Sequence, residues 1–195
     1  MKISRKLFVL FVLFAQMATA GILFAGAAHA ADAEAPDVLI KRVSQEVLDI
    51  AKTDKEVQAG NQQRIMEVVQ AKVIPYVDFQ RMTSMAAGRF WREATPEQQA
   101  ALTAEFRSLL IYTYAGAITQ IRNQKLDFKP MRGSVKEEDV EVRSMVLQPR
   151  GEPIQLNYRL EKTPAGWKIY DVNILGAWLV ETYKGSFATE IGKNG

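Results

Sequence analysis

The stretch IQLNYRLEKTPAGWKIYDVNI, residues 154–174, decides the fold class. Ile154, Leu156, Tyr158 and Leu160 alternate with Gln155, Asn157, Arg159 and Glu161. A period of two places the apolar set on one face of a half-buried strand. Lys162 to Gly166 supplies Thr, Pro and Gly in turn order, and Trp167 to Ile174 reads as the returning strand. Working upstream, Val140 to Leu147 is a third strand, stopped by Gln148-Pro149-Arg150-Gly151, and Leu126 to Pro130 is a shorter fourth. The expectation is an antiparallel meander of about four strands between residues 125 and 175.

The segment before the meander has a different period. Residues 36 to 122 carry apolar side chains at three- and four-residue spacing, which is helical. Pro36 opens a first helix with Val38, Leu39, Val43, Val47 and Leu48, and Gly60-Asn61 precedes a second running toward Pro75. Asp78 is placed to cap a third helix ending near Gly88, and Thr95-Pro96-Glu97-Gln98 is a capping-box start. The helix opened there is expected to reach about Arg122. After the strands, Trp178, Leu179, Thr182, Tyr183 and Phe187 fit a closing helix over 177–191. Helices followed by an antiparallel sheet make the chain α+β.

Composition narrows the chemistry. The first thirty residues hold Lys2, Arg5 and Lys6 and no acid, then an uncharged apolar run, then Ala28-His29-Ala30. The pattern is that of a secretory signal cleaved after Ala30, although the run would also just span a bilayer as a retained anchor. Those three bases leave 22 of the chain's 25 for the remaining 165 residues, against 22 acids, so the mature chain is neutral. It also has no Cys, and its one His, His29, departs with the signal. Catalytic triads, imidazole bases, thiol chemistry and His-ligated metals are thereby excluded, and bulk charge gives no basis for nucleic-acid binding.

The long helix is apolar around an unusually wide arc. One stripe is Leu102, Phe106, Leu109, Thr113 and Ala117; a second is Leu110, Tyr114 and Ile118, with Ile111 beside it. An ordinary surface helix shows one stripe, so this helix is either packed on both sides or lines a cavity. Phe79, Met82, Met85, Phe90 and Trp91 form a soft apolar group that suits either a core or an adaptable ligand surface. Asp171, mid-strand, is either a general base of the isomerase type working with Tyr158 or Tyr170, or a structural acceptor for an Arg or for backbone.

Several separated stretches together resemble the periplasmic lipid-binding MlaC family, also known as the toluene-tolerance auxiliary component. They are Pro75-Tyr76-Val77-Asp78-Phe79; Gly88-Arg89-Phe90-Trp91-Arg92-Glu93-Ala94-Thr95-Pro96-Glu97-Gln98; Glu105-Phe106-Arg107 with Leu110, Thr113 and Tyr114; and Gly166-Trp167-Lys168-Ile169-Tyr170-Asp171-Val172 with Gly176 and Tyr183. One departure stands out: where the family commonly has Gly-x-Ser followed by Leu or Met, this chain has Gly176-Ala177-Trp178-Leu179.

The resemblance implies a nuclear-transport-factor-like cup with an N-terminal helical subdomain, residues 31–195 forming one lipid-binding domain. It implies a non-enzymatic carrier of diacyl phospholipid, without cofactor or metal, that moves lipid across the periplasm and maintains outer-membrane asymmetry. The implied partners are an outer-membrane lipoprotein complex and an inner-membrane ABC transporter with its membrane-anchored pore subunit. The carrier is expected to act as a monomer. A cup-fold enzyme and a periplasmic chaperone or adaptor are the alternatives.

The expected lipid contacts combine the stripes with the cup. From the helices they are Phe79, Met82, Met85, Phe90, Phe106, Leu109, Leu110, Thr113, Tyr114, Ala117 and Ile118. From the sheet they are Val142, Val146, Leu156, Tyr158 and Ile169, and from the start of the closing helix Ala177 and Trp178. These positions offer no cationic cluster, so weak headgroup selectivity is expected.

Overall fold

The computed structural model describes residues 34–131 and 137–194. The signal-like segment, residues 1–30, lies outside them.

Local chemistry sets the helix boundaries. Helix α1 (Pro36–Thr53) begins on its proline and ends at Asp54, whose Oδ1 accepts from the Glu56 and Val57 amides and so starts the short α2 (Lys55–Gln58). Asn61 caps α3 (Gln62–Lys72), and a 3₁₀ turn follows at Ile74–Tyr76. Asp78 caps α4 (Phe79–Ala87), Gly88 ends it at φ 59°, and α5 (Arg89–Glu93) follows. The Thr95–Gln98 capping box is formed in both directions at the start of α6 (Pro96–Tyr114).

That helix stops earlier than its pattern suggests. Residues 115–120 tighten into a 3₁₀ turn (Ala115–Gln120) around Gly116, a poor helix former, instead of continuing to Arg122. The change of period turns Ala117 outward while Ile118 stays half-buried.

The sheet is an antiparallel meander in sequence order: β1 (Lys125–Phe128), β2 (Asp139–Leu147), β3 (Ile154–Thr163), β4 (Gly166–Ile174) and β5 (Ala177–Trp178). It has five strands where about four were expected. The fifth replaces the expected start of the closing helix, and α7 runs Leu179–Asn194. Leu175 and Gly176 both take positive φ, 54° and 93°, as a two-residue hairpin turn requires. Leu is a rare choice for such a turn, so the sequence signal there is weak.

A bulge in the β3–β4 ladder pairs Arg159 with Asp171 but Leu160 with Ile169. Tyr170 is the extra residue. Ile169 joins a core cluster with Leu39, Ile40 and Val43 of α1 and with Val140 and Val142 of β2. Tyr170 joins another with Met82, Phe106, Leu110, Leu179 and Val180. Arg81 ties α4 to the sheet: it bonds Glu161 and, at 2.8 Å, Asp139, with its guanidinium 3.7 Å from the Tyr170 ring centroid. A third cluster joins Ala51, Val57, Ile65 and Val68, with Ile118 and Ala115 packed on it.

Candidate functional site: an apolar cavity between sheet and helices

An apolar cavity of about 270 Å³ opens where the clusters meet. Each element contributes side chains at its own period. From β4 come Val172 and Ile174, two apart on one face. From α6 come Leu110, Ile111 and Tyr114; from α3 and its C-cap, Val69 and Val73; from α4, Phe79 and Met82. The spacings of three and four residues put each set on one helix face. Val47, Val77, the 3₁₀ residues Ile74, Ala115 and Ile118, and Leu179 complete the wall.

Of these fifteen side chains only Tyr114 carries a polar atom, and none is charged. Burial raises the Tyr114 phenol above its ordinary value, helped by a hydrogen bond with Tyr183, so the group stays neutral and keeps a partner. A cavity of this kind excludes ions and takes hydrocarbon.

The structure brings together five of the residues singled out from sequence: Phe79, Met82, Leu110, Tyr114 and Ile118. It sends the others elsewhere. Phe106 is solid core, edge-on to Tyr183 and Phe187 at 5.1 and 5.0 Å between centroids. Leu109 is 42% exposed and Met85 36%, and Thr113 and Ala117 are also exposed. Phe90 lines a separate surface groove with Leu102 and Ile191. Val142, Ile169 and Tyr158 pack with α1. Val146 and Leu156 are half-buried on the sheet and are not among the lining residues. Ala177 lies exposed on β5, and Trp178 sits beneath the Arg159 guanidinium instead of at the cavity.

The other ten lining residues were not among the expected contacts, Val69, Val73, Val172 and Ile174 among them. Their apolar spacing was visible, but an apolar helix face or strand reads the same whether it meets a core or a void.

Asp171 does not line the cavity either. It is 1% exposed; Oδ1 accepts from the Val172 and Val180 amides at 2.9 and 3.0 Å, and Oδ2 lies 3.5 Å from Arg159. Val180 is in the first turn of α7, so a strand carboxylate satisfies a helix-terminal donor. Its raised pKa reflects burial, opposed by those donors and by Arg159. This is the structural alternative for Asp171. Among the described residues no cluster of three or more acidic, His or Cys side chains could hold a metal, and no helix is long and apolar enough to cross a membrane.

Comparison with known proteins adds a second line. Residues 41–195 match the family model described as MlaC protein. The toluene tolerance protein ttg2D of Pseudomonas putida is 24% identical over 164 residues, covering 84% of this chain and 76% of that protein. The intermembrane phospholipid transport system binding protein MlaC of Haemophilus influenzae is 22% identical over 149 residues, covering 75% and 70%. Among solved structures, a phospholipid-binding protein from Ralstonia solanacearum, in complex with a phospholipid, is 48% identical. It superposes with a TM-score of 0.76 and covers 84% of this chain and 89% of that one.

Proposed function

The chain belongs to the MlaC family, and from that premise we propose that it is a periplasmic phospholipid carrier. It holds acyl chains in the cavity with the headgroup outward and shuttles lipid between the outer and inner membranes. The observation that carries this reading is the uncharged cavity between β4 and the helices, in a chain 48% identical to a protein solved with a phospholipid. The cargo takes the place of a cofactor, and the protein acts without catalysis, as a monomer released by cleavage after Ala30. Its docking partners are an outer-membrane lipoprotein complex and an inner-membrane ABC transporter with its membrane-anchored pore subunit.

The energetics suit a shuttle. Burying a methylene is worth about 0.8 kcal/mol, so some thirty methylenes amount to roughly 24 kcal/mol against water, beyond the practical affinity ceiling. A bilayer shelters the same chains, so transfer from membrane to protein is near balance while escape into water is very slow. At about 270 Å³ the cavity lies below the roughly 300–1,000 Å³ of ligand sites, so loading requires its walls to part.

The engagement of Asp171 with backbone and Arg159 removes the motive for an isomerase reading. The void between α6 and the sheet counts against an adaptor with a solid core. The test is solvent extraction and mass spectrometry of protein purified from a Gram-negative periplasm, with an uptake assay from vesicles. Co-purified diacyl phospholipid is expected; protein without lipid and without uptake overturns the reading.

A further inference from the structure

We propose that Arg107 binds the phosphate diester of the loaded lipid, just outside the cavity; this rests on the carrier reading above and extends it. Arg107 lies on α6 three and four residues before the cavity-lining Leu110 and Ile111, so it continues their face outward. Two surface grooves meet at its side chain. One, about 840 Å³, runs between α3 and α6 past Gln62, Gln70, Ser108 and Tyr112. The other, about 480 Å³, runs between α4, α5 and α6 past Gln80, Trp91, Gln99 and Thr103.

Each groove shares a wall with the cavity. Ile111 and Ala115 line both the first groove and the cavity, and Phe79 lines both the second groove and the cavity. A chain leaving the cavity past Phe79 or Ile111 therefore emerges beside Arg107.

The electrostatics fit an anion there. Arg107 is the one charged residue lining either groove. Among the described residues Arg42, Arg64, Arg81 and Arg159 each hold a carboxylate within 4.0 Å, whereas Arg107, like Arg89, Arg92 and Arg122, holds none and donates to the neutral Gln70 Oε1 at 2.7 Å. Its guanidinium also lies 5.7 Å from the Phe79 ring centroid. A half-buried guanidinium with no neutralising acid among the described residues keeps the donors not engaged by Gln70 for a ligand, and its fork matches two phosphate oxygens. The contact is to a group that every phospholipid carries. Arg107 thus distinguishes phospholipid from uncharged diacylglycerol while leaving headgroup selectivity weak.

The test compares the full protein with Arg107→Gln and Arg107→Lys. Each is incubated with vesicles holding phosphatidylcholine and diacylglycerol, re-isolated, and its bound lipids quantified by mass spectrometry. Wild-type protein is expected to favour phosphatidylcholine. Arg107→Gln should cut the phosphatidylcholine-to-diacylglycerol ratio by about tenfold, equivalent to about 1.4 kcal/mol, with diacylglycerol loading intact. Arg107→Lys should retain part of the preference. An unchanged ratio in Arg107→Gln overturns the proposal, and so does an equal loss of both lipids, which would make Arg107 a wall support. Inorganic phosphate that binds lipid-free protein in an Arg107-dependent way, and blocks phosphatidylcholine loading, would assign the site to the free anion and also overturn it. Wild-type protein that loads neither lipid overturns the carrier reading itself.

Discussion

The Arg159 guanidinium stacks over the Trp178 indole, 3.8 Å from the ring centroid, and joins β3 to the two-residue strand β5. The same Arg159 faces the buried Asp171 at 3.5 Å. The indole at the family's Gly-x-Ser position is therefore part of a clamp on the β5–α7 junction, and it is not one of the cavity-lining side chains.

Replacing Trp178 by the family residue is accordingly a stability change. Trp178→Ser should cost about 0.5–2 kcal/mol from the lost cation–π contact, plus lost packing. Phospholipid uptake from vesicles should not change. Urea melts paired with an uptake assay check this; reduced uptake at unchanged stability would place the indole in the lipid's path.

Charge at the cavity wall should separate binding from folding. Ile118 is half-buried in the cavity wall on a 3₁₀ turn. A Glu there can stay hydrated in an emptied, opened site, whereas a charge in close-packed core threatens the whole fold. Ile118→Glu should be soluble, cooperatively folded and lipid-free. Ala177→Glu, on exposed β5, should bind lipid like wild type. Loss of the cooperative melt in Ile118→Glu would assign this position to the core.

Filling the void should act in the opposite sense on stability. Val172 points from a strand into the cavity, and a strand accepts Phe readily. Val172→Phe should melt no lower than wild type, because residual cavity costs about 24 cal/mol per Å³. It should also take up less phospholipid. A destabilisation of about 1–3 kcal/mol, the mark of overpacking, would show that no such space is available.

Asp171 and Asp54 make opposite contributions to pH dependence. Burial holds Asp171 above the ordinary 3.8, so the folded protein binds this proton more tightly than the unfolded chain. Its contribution to stability falls as pH rises from 3.8 through the raised folded value, then levels off. The bond to Arg64, and then the Val57 amide, hold Asp54 below 3.8, so its contribution is present above 3.8 and is lost as pH falls through the lowered value. Relative to Asp171→Asn, wild type should lose stability as pH rises above 3.8; relative to Asp54→Asn, it should gain as pH rises toward 3.8. Asp171→Ala should cost about 1–3 kcal/mol at any pH, because the buried Val180 amide loses its acceptor. Urea midpoints from about pH 3 to pH 7 decide it; parallel curves for wild type and Asp171→Asn would contradict the assignment.

The sequence by itself determined what depends on neighbours in the chain. Thr95-Pro96-Glu97-Gln98, Asp78 and Asn61 start helices where they stand because a capping side chain reaches only two or three residues along. The alternation in residues 154–161, followed by the turn residues 162–166, sets β3 and its return because a period of two leaves one apolar face. Those local rules, with the absence of Cys and of any His beyond residue 29, gave the α+β class and the exclusion of most catalytic chemistry.

Tertiary structure decided which apolar faces meet a void. Leu110 and Phe106 lie one turn apart on the same helix, and both are apolar and buried. One borders the cavity and the other is clasped by Tyr183 and Phe187, nearly eighty residues away. The β4 bulge splits Ile169 and Tyr170 between two cores, and the positive-φ turn at Leu175-Gly176 moves Ala177 and Trp178 onto a strand. Hydrophobic attraction is non-directional, so a sequence marks which side chains leave water. Whether they then touch one another or enclose a space depends on the angles and distances between elements, which are set by contacts across the whole chain.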